Sequence, residues 1–89
     1  MITRTLSIVN EKGLHARASA KFVEVVEKFD ATVEVEKDGH RVSGDSIMGL
    51  LMLGAARGST VTIHLEGREA ELLGDALHAL VADCFGEGF

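Results

Sequence analysis

Gly13-Leu14-His15-Ala16-Arg17 sets a histidine and an arginine two positions apart at the start of an amphipathic segment. Phe22, Val25, Val26 and Phe29 follow at i, i+3, i+4 and i+7, which predicts a helix over residues 16–29. His15 then lies at the helix N-terminus, where unpaired backbone N–H groups and the positive end of the dipole favour an anion. Arg17 adds a second positive charge, and a cationic ring is disfavoured beside both. What remains is a neutral, nucleophilic imidazole next to groups that could hold a phosphoryl group attached to it. The pattern suits phosphate acceptance on nitrogen. Position alone also allows a plainer role, because many histidines at helix starts are only surface or capping residues.

A second short stretch carries a possible modification site. Ser46 precedes the apolar run Ile47-Met48-Gly49-Leu50-Leu51-Met52-Leu53, which predicts a helix over residues 47–53 with Ser46 as its cap. Capping is a sufficient structural role for that hydroxyl. A phosphate on it would meet free N–H groups, so modification would alter surface charge rather than fold. So many apolar residues cannot all face inward from a two-turn helix. Leu50 and Leu53 are the expected inward pair, leaving Ile47, Met48 and Leu51 at least partly exposed. An exposed apolar patch with adaptable methionine fits a transient surface serving several partners. The alternative is a small satellite of the core beneath a loop.

These segments need a scaffold, and the hydrophobic periodicity supplies one in the order β-α-β-β-α-β-α. Ile2, Leu6 and Ile8 alternate with Thr3, Thr5 and Ser7, with Arg4 the exception on the apolar side. Ala31, Val33 and Val35 alternate with Thr32, Glu34 and Glu36, and Asp38-Gly39 then supplies a tight hairpin returning through residues 40–43. Val61, Ile63 and Leu65 mark a last strand. Each strand has one apolar and one polar face, so the sheet is covered on one side only. Ala70, Leu73, Leu77, Leu80, Val81 and Cys84 form the stripe of a final helix, which makes Cys84 a buried, inert thiol. The fold class is α+β, an open-faced two-layer sandwich with three helices on one face of a small antiparallel sheet. Strand order stays open on pattern alone, since a ferredoxin-like arrangement reads almost identically. Phe85-Gly86-Glu87-Gly88-Phe89 is glycine-rich and expected to fray.

Composition narrows the function classes. Eighty-nine residues with 46% apolar content make one small domain, 1–89. A net charge of −5, with no tryptophan or tyrosine, argues against a nucleic-acid partner. No membrane insertion or signal peptide is read, and one cysteine forms no internal disulfide, which suits the cytoplasm. His40, His64 and His78 lie near no second ligand at metal-binding spacing, so neither a metal nor a cofactor is expected. Gly54-Ala55-Ala56-Arg57-Gly58 lacks the lysine and hydroxyl of a phosphate loop and is read as the turn into the last strand.

The His15 and Ser46 stretches, their separation and their distance from the N-terminus resemble the phosphocarrier family HPr of the bacterial phosphoenolpyruvate-dependent phosphotransferase system. The resemblance covers essentially the whole chain. It implies strand order 1-4-2-3, His15 as phosphoryl acceptor through Nδ1, and Arg17 as the residue that screens phosphate and transition-state charge. It further implies Ser46 as a regulatory phosphorylation site for an HPr serine kinase/phosphorylase. Docking of enzyme I and EIIA-type acceptors falls on Ala16, Ala20, Ile47, Met48 and Leu51. The implied protein is a monomeric covalent relay rather than an enzyme with its own turnover. Departures from the family are Asp45, which would repel phosphoserine, and Glu24 and Glu27, where enteric relatives are basic. Ala18 replaces a common proline that preorganises the helix start without taking part in chemistry. Two rivals are a nitrogen-type regulatory carrier using the same chemistry and a small interaction or ligand-sensing domain without phosphate chemistry.

Overall fold

A computed structural model describes residues 1–89. Alternating side chains build β1 (Ile2–Ser7), β2 (Thr32–Lys37), β3 (His40–Ser43) and β4 (Thr60–Glu66). Between and after them run α1 (Ala16–Val26), α2 (Ile47–Met52) and α3 (Ala70–Ala82), followed by a 3₁₀ turn at Cys84–Gly86. The strands form one antiparallel sheet in the order β1-β4-β2-β3. Its register pairs Leu6 with Val61, Val33 with Leu65 and Val35 with Ile63, so the apolar side chains share a face. A slip of one residue would turn them all outward, and burial of that face therefore fixes the register. Asp38 and Gly39 adopt φ of 51° and 82° in the β2–β3 hairpin, as their residue types predict.

The helices close one continuous core around Phe22, Leu50, Ile63, Leu65, Leu73 and Leu77. The opposite face of the sheet carries threonines and charge. There His64 Nε2 meets Glu36 at 2.7 Å and Arg41 approaches Glu36 at 3.5 Å. The His64 hydrogen bond, helped by Arg41, holds the Glu36 carboxyl below its ordinary range. Arg4, the charged residue in an apolar register, extends across Gly74 of α3 to pair with Asp75 at 2.5 Å. A Cβ at position 74 would stand 3.0 Å from Arg4 Nε, so the arginine would have to give by a few tenths of an ångström.

Three expectations need correction. The first helix stops at Val26 rather than Phe29, although Phe29 still packs on the core. Lys28 and Phe29 donate to the carbonyls of Val25 and Val26, so the last turn tightens while the apolar spacing continues. Cys84 lies beyond α3 and is only half-buried. Phe85 to Glu87 of the final pentapeptide are anchored instead of frayed, while Phe89 stays exposed. Cys84 and Phe85 both take φ of 54°, which swings Phe85 into the core, where it is completely buried. Lys21 Nζ of α1 donates to the Phe85 carbonyl at 2.7 Å and ties the tail down from outside.

Phe85→Ala is expected to cost about 3 kcal/mol in urea unfolding, through lost burial and a residual cavity. It should also accelerate amide exchange at Gly86 and Glu87. A loss within measurement error would show that Phe85 does not anchor the tail.

Candidate functional site

Gly13 is where backbone geometry decides the position of the histidine. It adopts φ of 64°, and a Cβ there would stand 2.5 Å from the Ala55 carbonyl oxygen. That same oxygen accepts the Leu14 N–H at 2.9 Å. The loop is thereby pressed against residues 54–58, and the next residue begins α1. His15 is the N-cap in extended conformation, and its carbonyl accepts Ser19 N–H at 2.8 Å. No side chain caps the helix, and the amides of Ala16, Arg17 and Ala18 donate to no carbonyl. These first-turn N–H groups are left for an anion.

An open cleft of about 550 Å³ lies over this helix start, lined by Lys12, His15, Arg17, Lys21, Glu87 and Phe89 among others. Arg17 is exposed and joins no ion pair, whereas Lys21 is engaged with the Phe85 carbonyl. The unforeseen group is Glu87. Its carboxylate hydrogen-bonds His15 Nε2, and its side chain is only 13% exposed. The other carboxylate oxygen accepts Asn10 Nδ2–H at 2.9 Å. Asn10 is wholly buried and also donates to the Gly13 carbonyl at 2.8 Å. The Asn10 amide first, and the His15 ring second, hold the Glu87 carboxyl below its usual range. The positive surroundings inferred from Arg17 and the helix end are therefore incomplete, because a carboxylate faces the ring at Nε2. Nδ1 makes no hydrogen bond.

Composition hid Glu87 among glycines. The available signal was Phe85, four residues after Val81 and large enough to prolong the apolar stripe. Asn10, just past a strand, carried no signal at all.

Ser46 caps α2 as its position implied, with Oγ accepting the Gly49 N–H at 3.0 Å. Asp45 is occupied locally, accepting a hydrogen bond from Ser43 Oγ at 2.6 Å. Leu50 and Leu53 point inward, while Ile47 and Met48 are exposed and Leu51 is half-buried. Met52, not singled out from the sequence, is 81% exposed and is more prominent than any of them. Because α2 packs along α1, this apolar surface lies beside the helix that begins at His15. Ala16 is exposed and Ala20 half-buried on α1. No three of His, Cys, Asp or Glu gather into a metal-binding group, and no helix is long and apolar enough to cross a membrane.

The family model described as "PTS HPr component phosphorylation site" matches residues 2–83. The chain is 46% identical over 88 residues to Phosphocarrier protein HPr of Cupriavidus necator, covering 99% of each protein. It is 37% identical to Phosphocarrier protein NPr of Shewanella violacea, covering 97% of this chain and 94% of that one. Among solved structures, HPr-C-His from Thermoanaerobacter tengcongensis superposes with a TM-score of 0.94 at 40% identity, covering both chains fully.

A carboxyl that titrates lower when folded than when unfolded adds stability above the unfolded value and loses it as pH falls through the folded one. Glu87 is therefore expected to hold the tail at neutral pH and to release it only in acid, below the ordinary carboxylate range. Carboxyl ¹³C titration by NMR reads this directly, and Asn10→Ala should move the Glu87 midpoint upward. An unmoved midpoint would show that Asn10 does not hold the carboxylate. Separately, Ser46→Ala should cost about 1 kcal/mol through loss of the α2 cap.

Proposed function

Since the chain belongs to the HPr family of phosphotransferase-system phosphocarriers, we propose that His15 accepts a phosphoryl group from phosphorylated enzyme I and passes it to an EIIA-type acceptor. The observation that carries this reading is a histidine whose Nδ1 is unpartnered, at a helix start whose first amides and neighbouring arginine are also unpartnered. Nδ1 attacks phosphorus as the bond to the donor breaks, and the electron pair returns to the donor. The phosphoryl oxygens then gain the helix amides and the Arg17 guanidinium, which concentrate positive charge where negative charge must be held. The residue is regenerated when the group moves on, so the protein is a carrier without turnover of its own.

Exposed Ile47, Met48 and Met52, with half-buried Leu51 and with Ala16 and Ala20 on α1, form the surface that serves both donor and acceptor. An apolar patch of this kind can be desolvated repeatedly by different partners. Ser46 is the regulatory position, open to an HPr serine kinase/phosphorylase. Phosphate there would charge the edge of the docking patch while keeping the cap interaction with α2. The carrier acts in the cytoplasm as a monomer. A nitrogen-type carrier is the second reading, favoured by the likeness to the protein named NPr. Gene neighbours separate the two: a sugar permease beside enzyme I supports transport, and nitrogen-control genes support regulation.

Phosphoenolpyruvate with the cognate enzyme I should add one acid-labile phosphate, and His15→Ala should abolish the labelling without loss of fold. Label retained by that variant would end the reading. Arg17→Glu should slow transfer by about a hundredfold with an almost unchanged thermal midpoint, because the side chain is exposed and unpaired. Ser46→Asp should hold or raise stability by roughly 0.3–1 kcal/mol, yet raise the KM of enzyme I for this protein. Equal KM values would leave Ser46 as a cap only.

A further inference from the structure

Glu87 lies outside residues 2–83, the stretch matched by the family model, yet it makes the one side-chain hydrogen bond to the His15 ring. It is not a passing contact of a loose end. Asn10 holds one carboxylate oxygen and is itself fixed to the Gly13 carbonyl, two residues before His15. Buried Phe85 and the Lys21 clasp anchor the chain segment that carries it. The ring is thus gripped at Nε2 from a rigid support.

We propose that Glu87 is a positioning residue for phosphoryl transfer: its carboxylate accepts the Nε2–H of His15, leaves the Nδ1 lone pair free, and balances the charge that the ring acquires while it carries phosphate. The proposal rests on the phosphocarrier reading. An ionised carboxylate can only accept, so the shared proton belongs to Nε2. Nδ1 then attacks the phosphorus of a phosphohistidine donor. The new N–P bond forms as the donor's N–P bond breaks, and that electron pair returns to the donor ring. No proton has to leave. The phosphorylated His15 ring is cationic, with its Nε2–H pointed at Glu87, and a cationic ring is a good leaving group. When the phosphoryl group moves on, the N–P pair returns to Nδ1 and the ring is neutral again with Nε2 still protonated. A carboxylate that steers an imidazole through its second nitrogen is an established device in acyl-transfer enzymes. Here it would serve a nucleophile rather than a base.

The test compares wild type, Glu87→Ala and Glu87→Gln by ¹H–¹⁵N NMR of the unphosphorylated proteins and by transfer kinetics with cognate enzyme I. Wild type should show the proton on Nε2 and an Hε2 resonance protected from exchange with water. Glu87→Ala should lose that resonance and spread the proton over both nitrogens, with backbone spectra outside the site unchanged. Its kcat should fall roughly ten- to hundredfold, the worth of a hydrogen bond to a charged group, with KM kept within about twofold. Glu87→Gln should recover the Hε2 resonance through its amide oxygen but regain only part of the rate, since it lacks the charge. A protected Hε2 in Glu87→Ala, a wild-type kcat, or an effect confined to KM would each overturn the proposal while wild-type labelling keeps the carrier reading intact. Absence of labelling in the wild type would overturn both.

Discussion

The close approach of Gly13 to the Ala55 carbonyl governs the site. With no side chain at position 13, the loop can lie against residues 54–58 and hand Leu14 N–H to the same oxygen. Leu14 is then buried and His15 must start the helix facing outward. A larger residue would meet backbone on one side and an unfavourable φ on the other, so the loop would have to move. The His15 ring inherits its place from a contact made by backbone atoms, which are harder to displace than a side chain.

Groups of both signs line the cleft around that ring. Unpaired amides and Arg17 belong to the helix start, while the carboxylate of Glu87 stands at Nε2. The carboxylate engages Nε2 alone and leaves Nδ1 without a hydrogen bond, so the two nitrogens of one imidazole meet different surroundings. Net acidity of the whole chain therefore says little about the potential at the histidine, which is set by the nearest few groups.

The scaffold was largely legible because a half-buried sheet writes its register into alternation, and Val33, Val35, Val61, Ile63 and Leu65 obey it. Strand order was not readable from that pattern and came from resemblance. Ser46 was legible because a helix start favours a hydroxyl cap, and His15 because the apolar spacing after it marks where α1 begins. The errors cluster where backbone conformation departs from its neighbours. Nothing in Cys84-Phe85 announces two successive left-handed residues, and without them Glu87 cannot be brought back to His15. Composition treated Gly86 and Gly88 as looseness, whereas they flank the residue that returns to the site. Met52 escaped because a six-residue helix has too few turns to assign every apolar position to a face.

The apolar surface of α2 has a chemical character that burial alone does not convey. Met48 is 69% exposed and Met52 81%, so both thioethers stand in open solvent. Oxidants convert methionine to a polar, chiral sulfoxide, a change that reductases can reverse. Leu50 and Leu53 make the inward contacts of this helix, so the fold has little stake in either sulfur. Oxidation of either would thus change the outer face of α2 and could be reversed there, with the sheet and the His15 loop untouched.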